Sequence, residues 1–445
     1  MIQHIEKAVA AAEDRILAAE RYLWEHPETG FREKASSAYM RKQFEELGYS
    51  VTAPEDITGF YTVIDTGRPG PELMVLSELD SVICPAHPQS NPQTGAVHAC
   101  GHHAQGAAMV GVAAALRDPA VLSRLCGRIR LCAVPAEEML ETEYREGLRD
   151  AGTIRYFNGK TEYLRRGYFD GVDMAFMVHH EKQFKVRSGS IGFISKIVTY
   201  QGKAAHAGGS PWDGCNALYA AMAGLNAINA IRETFKDEDH IRVHPIITHG
   251  GDMVNAIPEQ VRLELQVRGG TFEAIRTAAK RVDRALCGAA LSLGAKIHIA
   301  TRPGYAPLCN NADMSRIAAE AAAVAMPEET FHVYDTPDTS CTDMGDLSCV
   351  MPVTQPYCPG VAGTSHGSDY RVTDRKTACV KNAVWQLTMI ELLLGHDGAR
   401  AKEVLKNYHA LYEGKAAFLA EQDGFYSDRD AIVYRADGKA EIDLT

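Results

Sequence analysis

The sequence lacks several features that would assign it to a membrane or to nucleic acid. It has no run of about 20 apolar residues, the length that a membrane-spanning helix requires. It also lacks a basic excess: 46 Lys and Arg stand against 57 Asp and Glu, which gives a net charge of -11. A nucleic-acid-binding surface must be basic, so this balance argues against such a partner. Residues 1–26 carry acidic side chains throughout and are typical of an amphipathic helix rather than an export signal. We therefore expect a cytoplasmic protein.

The eleven cysteines also lack the even number and the regular spacing of a disulfide framework. Without an export signal, we expect them to be reduced thiols. Cys126 and Cys132 lie beside apolar segments and are expected to be small buried residues of the core.

The pattern of strands and helices predicts two domains. A chain of 445 residues is too long for one ordinary core. Strands and helices alternate in residues 1–187 and return after 305, which predicts an α/β domain with a mixed, mostly parallel sheet and helices on both faces. Residues 188–304 follow the order strand, helix, strand, strand, helix, strand, which is typical of a ferredoxin-like α+β domain. We therefore expect a discontinuous domain, 1–187 and 305–445, with a second domain inserted at 188–304.

The stretch "HACGHH" is the first candidate for chemistry. Cys100 and His102 are separated by one glycine, so a thiolate and an imidazole could approach one metal ion from the same loop. A helix is expected to begin near His103, and a thiolate is favoured at a helix N-terminus. A buried cysteine beside surface histidines is the alternative that this stretch alone leaves open.

Three further fragments carry similar chemistry. In "VPAEEML", Glu137 and Glu138 suit a division in which one carboxylate binds a cation and the other moves protons, although a solvated acidic turn would look the same. The pair His179 and His180 ends an apolar strand, and His366 lies in a glycine-rich loop. These fragments mostly follow the ends of strands, where the functional groups of parallel sheets collect. Together they are sufficient for two divalent cations with an activated water.

The order of these pieces resembles a known family. The segments "HACGH", "PAEE", "GKAAHAGGSPWDGCNAL", "VNAIPEQVRLELQVRG" and "CTDMGDLSCVMP" follow one another as they do in the dinuclear-metal aminoacylase and carboxypeptidase family. More narrowly, the chain is similar to the branch that contains auxin-conjugate amidohydrolases and aminobenzoyl-glutamate hydrolase. The resemblance extends from "LWEHPETGFREKAS" to "LTMIELLLG", nearly the whole chain.

The resemblance implies roles for individual residues. The metal ligands that it implies are Cys100, His102, Glu138, His179 and His366. It implies that Glu137 is the general base and that His206 stabilises the oxyanion, often across a dimer interface. Asn255 and Arg268 match positions that help to bind substrate, typically a carboxylate. The inserted domain is then expected to be a lid through which the protein forms a homodimer or a larger homo-oligomer.

The chain also departs from the pattern of the family. The branch usually has Asp after the second ligand, where this chain has His103. The stretch "SELDSVICP" keeps Asp80, which either orients a ligand histidine or caps a turn. His179 is preferred to His180 as a ligand because of its offset from Asp173. Asp80, His103 and His180 are therefore expected beside the metal ligands rather than among them.

These observations predict a hydrolase that uses one or two divalent ions, Mn or Zn. The expected substrate is a small molecule that bears a carboxylate: an N-acyl amino acid, an aryl-glutamate-type conjugate or an unusual dipeptide. An aminohydrolase that expels ammonia from an aromatic or amidine carbon is an alternative, because the altered surroundings of His102 leave room for an atypical reaction. A non-catalytic metal-containing binding protein is an alternative of another class. A redox role for Cys100 is the least favoured.

Overall fold

The computed structural model describes residues 2–444. The helices in this range are α1 Gln3–Ala10, α2 Glu13–Glu25, α3 Lys34–Glu46, α4 His102–Ala115, α5 Pro119–Leu122, α6 Thr142–Asp150, α7 Gly159–Arg165, α8 Ala217–Ile231, α9 Phe272–Leu293, α10 Ala312–Ala325, α11 Met344–Ser348, α12 Asn382–Leu394, α13 Ala399–Asn407 and α14 Lys415–Asp423. The strands are β1 Phe60–Asp65, β2 Glu72–Glu78, β3 Val82–Ile83, β4 Ala96–Val97, β5 Arg128–Val134, β6 Met174–Phe176, β7 His179–His180, β8 Lys185–Arg187, β9 Gly189–Ser190, β10 Gly192–Gln201, β11 Arg242–His249, β12 Gln260–Gly269, β13 Lys296–Pro303, β14 Leu308–Cys309, β15 His332–Tyr334, β16 Val353–Thr354, β17 Tyr357–Cys358, β18 Val361–Ala362, β19 Arg371–Val372, β20 Ser427–Asp430, β21 Ile432–Tyr434 and β22 Ala440–Ile442. None of the helices described is long and apolar enough to cross a bilayer.

The chain divides into two compact units. The first comprises residues 2–189, 308–338 and 343–415, and the second comprises Ser190–Pro307, Thr339–Thr342 and 416–444. The sequence assigns residues 416–444 to the first domain, whereas the structure groups them with the second unit.

The first unit is built on a five-stranded sheet with the order β1-β5-β2-β6-β16. Its central strand β2 is buried at every position and runs parallel to both β5 and β6, while β1 is antiparallel to β5. A strand covered on both faces needs apolar side chains in succession, and "ELMVLSE" supplies them at most positions. The predicted α/β fold with a mixed, mostly parallel sheet is confirmed.

The parallel strands of this sheet place the candidate residues at one edge. Strands β2, β5 and β6 run in the same direction, so their carboxyl ends meet at the same side of the sheet. Asp80 follows β2, Glu137 follows β5 and His179 follows β6. The topology therefore brings together side chains that are far apart in the sequence.

The second unit contains an antiparallel sheet with the order β11-β12-β10-β13. Helix α8 follows β10 in the chain, and helix α9 follows β12. This is the split βαβ arrangement. Along β12, four apolar residues alternate with polar ones and pack in the core with both helices: Val261, Leu263, Leu265 and Val267.

The C-terminal segment adds a fifth strand to this sheet. Strand β20 pairs antiparallel with β13, in a register that places Asp430 opposite His298. The guanidinium of Arg429 lies 2.7 Å from a carboxylate oxygen of the buried Asp283, and Phe425 is part of the core of the unit. The sequence of β20, "SDRD", does not predict a strand, because it has no apolar alternation.

Candidate metal centre and active site

Gly101 allows Cys100 and His102 to approach the same point. It is the N-cap of α4 and has φ +94, a backbone conformation that residues other than glycine rarely adopt. A Cβ atom at this position would also lie 2.6 Å from the hydroxyl oxygen of Tyr370. The chain therefore needs glycine between the two candidate ligands.

The first group of metal donors is formed by Cys100, His102 and His179. Their donor atoms all lie within 4.8 Å of one another, and Cys100 Sγ is 3.5 Å from His179 Nε2. Nδ1 of His102 lies 2.9 Å from the carbonyl oxygen of Asp80, which can only accept a hydrogen bond, so Nδ1 carries the proton and Nε2 is left as the donor to a metal. Burial lowers the pKa of His179 to about 4, which keeps that ring neutral and able to bind a cation.

The second group is formed by Cys100, Glu138 and His366. Their donor atoms also lie within 4.8 Å of one another, and His366 Nε2 is 2.9 Å from Glu138 Oε1. The backbone N–H of His366 donates to the carbonyl of Ala99, which ties this loop to the start of the "HACGH" motif. Because Cys100 belongs to both groups, its sulfur lies where it could contact two ions.

A third group, Glu78, His102 and Glu137, contains a residue that the sequence analysis missed. The donor atoms of the three lie within 4.8 Å of one another, and Glu78 Oε2 is 3.2 Å from His102 Nε2. Glu78 is the last residue of the buried strand β2, and a carboxylate at the end of an apolar run was the available signal. Glu137, the third member of this group, is buried, with about 7% of its surface exposed.

Asp80 contacts two of the candidate ligands without being a member of any donor group. Its Oδ1 lies 3.2 Å from His102 Nδ1, and its Oδ2 accepts a hydrogen bond from the backbone N–H of Glu138. These contacts favour the first of its two predicted roles, that of orienting a ligand histidine.

His103 and His180 lie beside the donor groups but outside them. His103 is buried, with Nε2 3.6 Å from Glu20 Oε1 and its ring against Trp24. His180 Nε2 is 2.9 Å from the carbonyl of Ala378. The geometry therefore favours His179 as the ligand of the pair.

The other three predicted residues lie in the second unit. His206 is exposed, and its Nδ1 accepts hydrogen bonds from the backbone N–H groups of Gly208 and Gly209. The carbonyl of Asn255 accepts from the backbone N–H of Ala207, which holds the two loops together. Arg268, on β12, donates to the side chain of Gln266.

The electrostatics of the donor groups are those of a site that needs a cation. Burial raises the pKa of the Cys100 thiol well above its usual range, and nearby carboxylates add to the rise. Burial and the charges of Glu78 and Glu138 likewise raise the pKa of Glu137 well above its usual range. Burial alone would lower the pKa of His102, but Glu78 and Asp80 raise it to about 9. A bound divalent cation would reverse this balance, because it favours thiolate, carboxylate and neutral imidazole.

The residues present fit such a cation. His102 Nε2 is buried and makes no hydrogen bond, although Glu78 Oε2 lies near it. Thiolate, imidazole and carboxylate together are a donor set suited to Zn²⁺ and to other divalent transition metals.

The first two donor groups, which share Cys100 at the carboxyl edge of an α/β sheet, indicate a metal-dependent enzyme with two ions. Residues 74–387 match Peptidase family M20/M25/M40, and the chain belongs to this family. The resemblance noted in the sequence is thereby confirmed, as is the expectation of a hydrolytic enzyme.

Individual relatives agree with this assignment. The chain is 27% identical over 353 residues to the Xaa-Arg dipeptidase of Mus musculus, covering 78% of this chain and 77% of the relative. It is 28% identical over 298 residues to a p-aminobenzoyl-glutamate hydrolase chain of Escherichia coli, covering 64% of this chain and 57% of the relative. A dinuclear metal-binding peptidase of family M20 from Bacillus subtilis has a similar fold, with 20% identity, a TM-score of 0.63 and coverage of 86% of this chain and 99% of that one.

Proposed function

We propose that the protein hydrolyses the amide bond of an N-acyl amino acid, an aryl-glutamate-type conjugate or a dipeptide at a centre of two metal ions. One observation carries this proposal: two donor groups share Cys100, and the carboxyl of Glu137 lies beside them. The names of two relatives, a dipeptidase and a p-aminobenzoyl-glutamate hydrolase, support a substrate in which an amide bond involves an amino acid.

The two groups would each hold one divalent ion, Mn or Zn. Cys100, His102 and His179 would bind the first, and Cys100, Glu138 and His366 would bind the second. Such ions supply an activated water, whose pKa falls to about 7 at a zinc site.

Glu137 would act as the general base. A carboxylate oxygen of Glu137 lies within 4.8 Å of a ring nitrogen of His102, which belongs to the first donor group. Because Glu137 is buried, bulk water does not compete for the proton. In this role it accepts a proton from the attacking water and gives it to the leaving amine.

His206 would donate a hydrogen bond to the oxyanion. Because Nδ1 accepts two backbone hydrogen bonds, the neutral ring carries its proton on Nε2. Such a donor contributes about 3 kcal/mol to stabilisation of the transition state. Asn255 and Arg268 would bind the substrate, with the guanidinium of Arg268 suited to a carboxylate.

The test is a comparison of Glu137→Gln with the wild-type protein on a panel of N-acyl amino acids, aryl-glutamates and dipeptides. We expect a loss of about 100- to 10,000-fold in kcat with the metal content unchanged, because the proton acceptor is removed while the donor groups remain. Products are identified by mass spectrometry and metal by elemental analysis.

Glu143→Gln is the matched control, because Glu143 is an exposed glutamate of α6. It should retain full turnover. Full turnover by metal-loaded Glu137→Gln would contradict the proposed base. Release of ammonia as the sole second product would instead identify an aminohydrolase, and intact substrates bound tightly by the loaded wild-type protein would identify a binding protein.

We further propose that the protein is a homodimer, joined through strand β11 of the second unit. Within residues 2–444, β11 pairs only with β12, whereas β20 covers the opposite edge of the sheet. Ile246 and Ile247 on β11 are exposed, as are Tyr219 and Met222 on α8. An open edge strand with exposed apolar side chains favours association with a second copy.

A further inference from the structure

Lys160, which the proposed mechanism does not use, is a fully buried lysine next to the candidate metal centre. Its Nζ lies 2.6 Å from Glu78 Oε1 and 2.5 Å from Asp343 Oδ1, and the side chains of all three residues are 0% exposed. The backbone N–H of Lys160 also donates to Asp343 Oδ2. Lysine is almost never fully buried unless it is paired, because removing a charge from water is costly.

The surrounding contacts hold this ammonium group in place. Lys160 is in the first turn of α7, where the side chains of Asn158 and Thr161 donate to Asp346 at 2.7 and 2.5 Å. Asp346 belongs to α11, which begins directly after Asp343. Helices α7 and α11 are thus joined by several hydrogen bonds around Lys160, and these contacts hold Asp343 beside its ammonium group.

Glu78 in turn connects Lys160 to the donor groups. One of its carboxylate oxygens accepts from Lys160, while the other accepts from Gln105 Nε2 at 2.9 Å and faces His102 Nε2 at 3.2 Å. Glu137 lies within the same group of donor atoms. The region around Lys160 therefore contains an excess of buried carboxyl groups, and Lys160 is its fixed positive charge.

We propose that Lys160 is a positioning residue that serves as a resident cation of the metal centre. It compensates the negative charge of Glu78 and Asp343 when no metal is bound, so that these buried carboxylates are tolerated in the folded protein before the ions bind. This inference rests on the proposed metal centre.

The proposal predicts that Lys160 matters most to the metal-free protein. Without its charge, Glu78 and Asp343 would be two buried carboxyl groups with no cation between them. In the loaded protein, the ions near His102 would compensate part of this negative charge, whereas the metal-free protein would have only the imidazole of His102 beside Glu78. A ligand that binds only the folded state stabilises it. The rise in Tm that metal causes should therefore be larger in a variant without the charge of Lys160 than in the wild-type protein.

The experiment is to measure the Tm of Lys160→Met with its metal bound and after removal of the metal by a chelator. Methionine is unbranched and similar in length but carries no charge. We expect the Tm of the metal-free protein to fall by about 10 °C, and that of the loaded protein by less than half as much. The stabilisation by metal would thus exceed that of the wild-type protein by about 5 °C or more.

Lys196→Met is the matched control. Lys196 is the buried lysine of the second unit, with Nζ 2.9 Å from a carboxylate oxygen of Asp283, and belongs to none of the three donor groups. Its loss should lower the Tm equally with and without metal. If Lys160→Met does not fold, Lys160→Met/Asp343→Asn takes its place. This double variant loses one charge of each sign. We expect its stabilisation by metal to exceed that of the wild-type protein by a smaller amount than in Lys160→Met.

Equal falls in Tm with and without metal, in whichever of these two Lys160 variants folds, would overturn the role of Lys160. A wild-type protein whose Tm does not respond to metal would overturn the metal centre itself, and both proposals with it. The two failures are therefore distinguishable in one set of measurements.

Discussion

At the scale of single residues, a buried carboxyl group supports the turn that precedes Glu137. Glu33 is fully buried, and its carboxylate accepts hydrogen bonds from the backbone N–H of Ala136 and from the hydroxyl of Thr58. Ala136 has φ +54, a left-handed conformation that costs a non-glycine residue about 1 kcal/mol or more. Glu33 therefore supports the strained turn that presents Glu137.

The burial of Glu33 predicts a dependence of stability on pH. Burial, and then the charge of Asp80, raise the pKa of Glu33 from 4.5 to about 8. The folded protein thus holds this proton more tightly than the unfolded chain, so the stabilisation is complete below pH 4.5 and is lost as the pH rises to about 8. We expect the free energy of unfolding of the wild-type protein to fall between pH 5 and pH 8 by up to a few kcal/mol more than that of Glu33→Gln, since one pKa unit corresponds to about 1.4 kcal/mol.

Urea denaturation of the chelator-treated proteins at both pH values measures this difference. Glu25→Gln, at an exposed position of α2, should follow the wild-type protein. Parallel declines of the wild-type protein and Glu33→Gln would show that Glu33 is not the group responsible.

The residues around the donor groups differ in how well the sequence predicts them. Cys100 and His102 share one short motif, so their proximity can be predicted from local spacing. The sequence did not predict the contacts of Lys160 with Glu78 and Asp343, which lie 82 and 183 positions away in the chain. No local pattern encodes such pairs. Their position depends on how α7 and α11 pack, which is a property of the folded chain.

At the scale of elements, the start of α7 is fitted against the turn that carries Glu137. A Cβ atom on Gly159 would lie 1.6 Å from the carbonyl oxygen of Pro135, and the backbone N–H of Gly159 donates to the carbonyl of Ala136. The helix and the turn therefore cannot be moved independently.

Gly159→Ala is expected to destabilise the protein by about 1–3 kcal/mol, because the backbone must shift to admit the methyl group. If the turn shifts with it, kcat should fall by up to about 100-fold. Thermal unfolding and steady-state kinetics measure the two effects.

Gly147→Ala is the control for this substitution, because a Cβ atom at Gly147, within α6, has no atom within 4 Å. It should be neutral or stabilise the protein by about 0.5–1 kcal/mol. If both alanine variants behaved alike, the contact between α7 and the turn would have no energetic role.

The elements themselves were largely predictable where hydrophobic periodicity is strong. Strand β2 and helix α4 follow from apolar runs, and the order of elements in the second unit follows from alternation. Strand β20 could not be predicted, since its place is set by β13 and by ion pairs such as that of Arg429 with Asp283. These are contacts between distant parts of the chain.

At the scale of the whole molecule, the two edges of the second sheet are not equivalent. The edge at β13 is covered by β20, and the edge at β11 is open within the residues described. Closed edges resist further pairing, so assembly through this sheet should stop at two copies.

Ile246→Glu/Ile247→Glu should therefore convert the proposed dimer into a monomer, because it places charges along the open edge. Size-exclusion chromatography with light scattering over a range of concentrations gives the mass. Val433→Glu is the control, since Val433 is about 50% exposed on β21, away from β11, and should leave the dimer intact. A variant at β11 that retained the mass of the wild-type dimer would exclude this interface.

The late strand β20 also has a consequence for biosynthesis. The ribosome completes β13, then makes residues 304–426, which include the remaining pieces of the first unit, and only afterwards makes the strand that covers β13. Domains generally fold as units while the chain is being made, beginning from the N-terminal side. Here the chain alternates between the two units, so a nascent protein must carry an uncovered sheet edge through the synthesis of every residue between them.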